Sequence, residues 1–353
     1  TLSLPGGTEK TKFSISGTYD YNGGLMVDTD FSRYSFMAKL NHDINKNLKF
    51  SLKATVTDQE ANGQGTQGGT YKVRTEQAIY GVATKGLSEF IEPDFSSMSD
   101  DEIVEYQRSN MSLADQSKQY WRKRNNRSFR FNAALDWRII KGLKAHIEGG
   151  YDYGFNEVKN WYGPTTTQAS YVGGLPLADW TKTNSRTIRE SANVTYDFKL
   201  KKIHHFNVMA GQEYRSVRGD YNVMSANNFS TAYTPEAVFA NFSSGKINES
   251  ATRSYVNAQD NTVSFFGRLN YTLLDRYLLT VTMREDGSSK FADGQQWGFF
   301  PAVAASWRIV EEPWMEKTHS WLSNLKLRVS YGKVGNNRIS NNTFLQLFQY
   351  YSR

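Results

Sequence analysis

Alternating segments of about ten residues or more, joined by connections that are short and long in turn, constrain this chain more than any other feature. The stretch "FFGRLNYTLLDRYLLTVTMREDGSSKF", Phe265 to Phe291, shows the unit. Apolar and polar residues alternate from Phe265 to Leu273, a tight turn falls at Leu274–Asp275–Arg276, and alternation resumes through Leu279, Val281 and Met283. A two-residue side-chain period is that of a β-strand, so the stretch predicts a hairpin with one greasy face. The other face carries Arg268, Asn270, Thr280, Thr282 and Arg284. A soluble sheet turns a greasy face inward; a membrane barrel turns it outward.

Candidate strands fall at 12–21, 34–43, 47–57, 127–138, 143–155, 186–200, 203–216, 257–273, 277–290, 297–309 and 324–335. Spanning barrel strands need about 9–11 residues, whereas strands of soluble proteins average about 5–6. Short turns are expected at 44–46, 139–142, 201–202 and 274–276. Long connections are expected at 22–33, 58–126, 156–185, 217–256 and 291–296, and 310–323 reads as a short helical piece on the short-turn side. Short turns on one rim and long loops on the other mark an outer-membrane barrel. A soluble sandwich explains the alternation but has no reason to sort its loops.

The faces agree between strands. Phe129, Phe131, Ala133, Leu135 and Trp137 share one face, with Arg130, Asn132, Asp136 and Arg138 opposite. Ala192, Val194, Tyr196, Phe198 and Leu200 form another apolar face. Aromatic residues gather at two heights: Trp137, Tyr277 and Trp307 near short turns, and Tyr151, Tyr153 and Phe155 near a long loop. Interfacial girdles place amphipathic rings at those heights. This reading turns Leu269, Leu273, Leu279 and Val281 toward lipid and Arg130, Arg268, Arg284 and Arg328 into a wet lumen.

Composition is compatible. Hydrophobic residues make up 39% of the 353, and no run approaches the roughly 18 apolar residues of a spanning helix. Barrel strands escape that test because alternation averages hydropathy away. Aromatics at 14%, with Gly 27 against Pro 7, suit a sheet-rich chain. Cys is 0, which removes disulfides, thiol nucleophiles and Cys-ligated metals. The net charge of +7 is spread along strands and turns, which reads as a solvated basic face rather than a nucleic-acid footprint. The opening "TLSLPGGTEK" has no leader pattern, and both ends read as cut from something longer.

No H-E-x-x-H, P-loop or G-x-S-x-G occurs, so no enzyme, cofactor or metal is expected. His204 and His205 are neighbours on a strand, face opposite ways and make a poor metal pair. "DGSSKFADG" at 286–294 lacks the spaced ligands of a calcium loop and reads as a polar hairpin loop. "SDDEIVEYQRS" at 99–109 begins as a helix N-cap and first turn, and short helices are expected near 74–85 and 99–120. The 156–185 loop holds Trp161, Tyr162, Tyr171 and Trp180. Exposed rings of this kind stack on sugars or pack on peptide side chains; the plainer alternative is that they pin the loop.

"FFGRLNYTLLDRYLLTVTMREDGSSKFADGQQWGFFPAVAASWRIVEEPWM", followed by "LSNLKLRVSYGKVGNN", resembles the SusC/RagA family of TonB-linked outer-membrane transporters of Bacteroidetes. "LSLPGGTEKTKFSISGTYDYNGGLM" resembles that family's early barrel strands. The resemblance implies an all-β fold, a transmembrane antiparallel β-barrel of about 22 strands enclosing a plug. It also implies a SusD-like lipoprotein lid, energy from TonB and import of oligosaccharides or peptides. No TonB box, plug or closing strands are found in 1–353, so the chain is expected to be one partial domain, about half of the barrel with long extracellular loops. A passive porin and a soluble β-rich carbohydrate-binding module are the competing readings.

Overall fold

The computed structural model describes residues 1–24, 28–63, 95–99, 102–103 and 118–339. Among them the backbone forms one antiparallel sheet. Its strands are β1 (Leu2–Gly7), β2 (Thr11–Gly23), β3 (Asp30–Asn45), β4 (Leu48–Asn62), β5 (Tyr120–Ile140), β6 (Leu143–Tyr162), β7 (Leu177–Leu200) and β8 (His204–Asn227). They are followed by β9 (Lys246–Ile247), β10 (Arg253–Val256), β11 (Asp260–Leu273), β12 (Tyr277–Ser288), β13 (Trp297–Arg308) and β14 (Lys326–Gly332). Each strand pairs with its sequence neighbours, except that β8 pairs directly with β11 and carries the short β9 and β10 above that junction. Two short helices, α1 (Thr167–Ser170) and α2 (Pro235–Ala240), lie in the long connections. The wall is open, with β1 and β14 at its edges.

Every strand expected from alternation is present, but several are longer. β7 and β8 run 24 residues each, and β5 and β6 run 21 and 20. The long connections expected at 156–185 and 217–256 therefore shrink to 163–176 and a segment that starts at 228, part of which returns as β9 and β10. The apolar–polar alternation weakens toward the strand tops, while the backbone ladder needs only a neighbouring strand to continue. β1 was also missed. The helix expected near 74–85 lies outside the described residues. Of the one near 99–120, the start is described: Ser99 Oγ and N–H both donate to Glu102 Oε2 at 2.9 Å, a capping box.

Register assigns the two faces. Tyr196, Val208, Leu269, Val281, Val303 and Tyr331 form one row across six strands, each directly opposite the next. Among the described residues none covers this row, and Tyr196, Val208 and Val303 are at least 40% exposed. Exposed apolar rows repeat on every long strand, from Phe36 and Val56 to Leu327 and Val329. Such a surface is stable only against lipid. Moving away from the short turns, this outward face turns polar at Asp58, Arg127, Glu190, Gln212 and Glu285. Those residues mark the upper border of the apolar band.

The short turns are sharp because their backbone is left-handed. Lys201 and Lys202 have φ of 50° and 61°, and Leu274 and Asp275 have 54° and 57°. Gly142 closes the β5–β6 hairpin at φ 85°, and a Cβ there would fall on the carbonyl oxygen of Asp197. The 310–323 connection is helical and sits on the short-turn rim, as 3₁₀ turns at Ile309–Glu311 and Pro313–Thr318.

Between those turns lies Glu312, only 7% exposed. Its Oε1 accepts from the Tyr277 hydroxyl at 2.6 Å and the Trp307 indole N–H at 2.8 Å, and its Oε2 from Arg276 Nη1 at 3.4 Å. The Tyr277 bond first, then the Trp307 bond, hold the Glu312 carboxyl below the ordinary carboxylate range. A depressed folded-state value stabilises the fold above the unfolded value and loses that contribution as pH falls through the folded one. Glu312→Ala leaves two aromatic donors unpaired, and the fold is expected to lose stability. The heat-unfolding midpoint of the full-length barrel should drop at neutral pH, and the gap from wild type should narrow in acid. Equal midpoints at neutral pH would refute a stabilising role for the knot.

Candidate functional site

The inward face is polar and closely ion-paired. Asp20 takes Arg33 at 2.9 and 2.6 Å across the β2–β3 pair. Asp152 on β6 takes Arg189 Nη1 of β7 at 2.8 Å, and Arg130 lies directly opposite Asp152 on β5. Arg284 on β12 reaches Glu213 Oε2 of β8 at 2.8 Å and Asp286 Oδ1 at 2.7 Å. The turn from 286 is therefore tied inward by its first Asp, while Asp293 accepts from Gln296 Nε2 at 3.3 Å. His204 and His205 point to opposite faces, with His204 Nδ1 2.7 Å from the Tyr271 hydroxyl and His205 Nε2 3.0 Å from Asp197 Oδ1.

All four expected arginines share this inward face, but their situations differ. Arg284 is clamped by two carboxylates. Arg268 is exposed beside Met209, with Nη2 3.9 Å from its sulfur. Arg130 and Arg328 are exposed, Arg328 opposite Ser306. Lys39 and Lys53 face each other directly on the same surface, and among the described residues neither meets a carboxylate. Like charges placed opposite one another on a sheet repel, so this stretch of wall is prepared for an anionic neighbour.

At the loop rim, a cavity of 890 Å³ opens on the inward side of the β7–β8–β11 junction. Its walls include Thr183, Ser185, Tyr255, Asn257, Asp260 and Lys290. Asp260 Oδ2 sits 3.5 Å from both Arg215 and Lys290, and its Oδ1 is buried and has no hydrogen-bond partner among the described residues. Tyr255 is 49% exposed and pairs with Tyr221 at 5.2 Å. Sequence reading did not find this group, because β10 has only four residues and no alternation to reveal its partner.

The four loop aromatics do not form one surface. Counting by twos from Phe129 to Trp121 places Trp121, and the directly opposed Trp161 and Ala178, on the outward side. Trp180 shares that side. There the segment after β8 folds back over the strand tops. Thr234 caps α2 by accepting from Ala237 N–H, Pro235 begins it, and Phe239 meets Trp180 edge-on at 6.0 Å and Phe242 meets it tilted at 5.9 Å. Trp161 is 7% exposed inside this cluster with Ala226, Phe229 and Val238. Trp180 donates its indole N–H to Glu157 at 2.8 Å and lies under the Lys182 ammonium at 4.0 Å. Tyr162 faces inward and meets Tyr120 edge-on at 6.1 Å. Tyr171, just after α1, is 79% exposed.

An apolar band outside, an ion-paired polar wall inside and loops sorted to one rim define a stretch of outer-membrane β-barrel. The chain belongs to the TonB dependent receptor-like β-barrel family, which it matches over residues 91–352. It is 27% identical over 352 residues to TonB-dependent receptor P3 of Formosa agariphila, covering 96% of this chain and 33% of that protein. It is 24% identical over 371 residues to the TonB-dependent receptor SusC of Bacteroides thetaiotaomicron, covering 98% and 34%. The chain thus spans about a third of the length of these curated relatives. In three dimensions it superposes on the RagAB peptide importer in its 'open-open' state with a TM-score of 0.73 at 20% identity, covering 96% of this chain and 36% of that one. The protein is placed in the outer membrane by this family membership and by its band.

Proposed function

We propose that this wall belongs to a TonB-driven importer that takes oligosaccharides or peptides across the outer membrane beneath a SusD-like lipoprotein lid. The observation that supports this most is the inward face, where Arg33, Arg189, Arg215 and Arg284 are held by carboxylates while Lys39, Lys53, Arg130, Arg268 and Arg328 remain available. A wall that mixes ion pairs with free cations suits a docked plug domain better than an open aqueous pore. Substrate is caught at the rim by Tyr171, Tyr162 and the Tyr255–Asn257–Lys290 cavity; Trp161 and Trp180 support that rim from behind. TonB then shifts the plug, and the substrate passes along the polar wall.

Two measurements test this on the whole protein. Uptake should stop when TonB is deleted, and a surface lipoprotein should copurify from membranes; uptake that persists without TonB would identify a passive porin. Tyr255→Ala should weaken substrate capture about threefold to tenfold, the loss expected for one aromatic platform. Unchanged capture would remove the cavity from the substrate path.

A further inference from the structure

The outward face holds a cationic pair that the transport reading does not use. Arg186 on β7 and Arg218 on β8 are directly opposite each other. Both are exposed, and among the described residues neither forms an ion pair. The nearest carboxylate on that face along β8, Asp220, is occupied by the amides of Asn184 and Asn222 at 2.8 and 3.1 Å. The contrast with Arg127 is direct: it stands on the same face and meets Asp58 at 3.2 Å.

The height of the pair is set by its neighbours. Arg186 lies opposite Tyr153 of the upper aromatic girdle. One outward step toward the short turns stand Ile188, 50% exposed, and its partner Tyr151, 36% exposed. Both arginines therefore sit one step above the Tyr151–Ile188 row and two above Glu190, in the border zone where apolar and polar side chains mix and lipid headgroups begin. Two guanidinium groups opposed across a strand pair repel unless an anion lies between them. Their planar forks match the oxygens of a phosphate, and the low polarity of the adjoining band strengthens such contacts.

We propose that Arg186 and Arg218 clamp the phosphate of an outer-leaflet lipid headgroup and so anchor this side of the barrel at a fixed depth. The occupant is a lipid rather than free phosphate, because the pair opens sideways onto the apolar band where acyl chains end. The Tyr153 ring then packs beside the headgroup, as interfacial tyrosines do.

The test uses the full-length protein in maltoside micelles, which contain no phosphate, with lipid A monophosphate added. Native mass spectrometry should show a retained lipid adduct. Arg186→Gln with Arg218→Gln should weaken retention about tenfold or more, the scale of losing two charge-assisted contacts, whereas Arg127→Gln leaves it unchanged. Arg186→Lys with Arg218→Lys keeps the charge and should retain most binding; it also serves if the neutral pair fails to assemble. Lipid A stripped of its phosphate should not be retained, and inorganic phosphate in excess should not displace the lipid. Equal retention by wild type and the neutral pair, or by lipid with and without phosphate, overturns the proposal. Displacement by inorganic phosphate overturns the lipid as occupant.

Discussion

Val281→Arg in the full-length protein is expected to block assembly into the outer membrane or to weaken it by about 2–4 kcal/mol. Val281 lies outward between Leu269 and Val303, midway up the apolar band, so the new charge lands in hydrocarbon. Thr282→Arg places the same charge on the inward face, directly opposite Arg268, where water is available and the loss should be far smaller. A soluble packed sheet would also reject Val281→Arg, so Val281→Trp separates the two cases. Lipid has room for the indole, whereas a packed core loses roughly 1–3 kcal/mol to overpacking. The Trp variant should assemble normally, and brominated lipid tails should quench its fluorescence. Emission indifferent to bromolipids would show that this face does not meet lipid.

Phe229→Ala is expected to free the loop that follows β8 while leaving the barrel intact. Phe229 is 1% exposed and packs edge-on to Phe242 at 5.7 Å, and truncating a buried Phe costs about 3–5 kcal/mol. The loss falls on a small cluster outside the membrane. The β5–β8 ladders that hold the wall do not depend on it. Protease added to intact cells should therefore cut between 228 and 252 much faster than in wild type. The Lys201–Ile203 and Leu274–Arg276 turns should stay protected, and heat-modifiable migration should be unchanged. Failure of the whole barrel to assemble would mean that the cluster is part of the folding core; unchanged cleavage would mean that α2 is held by something other than these rings.

The existence of the long strands, the face on which their alternating side chains fall, and the sorting of connections were legible in the residues themselves; β1, β9 and β10 were not. The legible features are local properties: a strand's period is two, and a tight turn needs few residues. Arg130, Arg268, Arg284 and Arg328 share one face for that reason. Which carboxylate meets which arginine was not legible. Asp152 and Arg189, or Glu213 and Arg284, become neighbours only through pairing register, and register is a relation between strands distant in sequence. The loop rim was the least legible part. For Trp161 and Trp180 the sequence left two readings open, binding rings or rings that pin the loop; the chain after β8 returns over the outer side of the strand tops, buries Trp161 and half-buries Trp180 in the cluster of Phe239 and Phe242. The sequence by itself thus determined that this is a membrane wall and which way its side chains point. Only the tertiary structure decided which charges neutralise one another and which remain free, because that depends on how far each strand slides against the next.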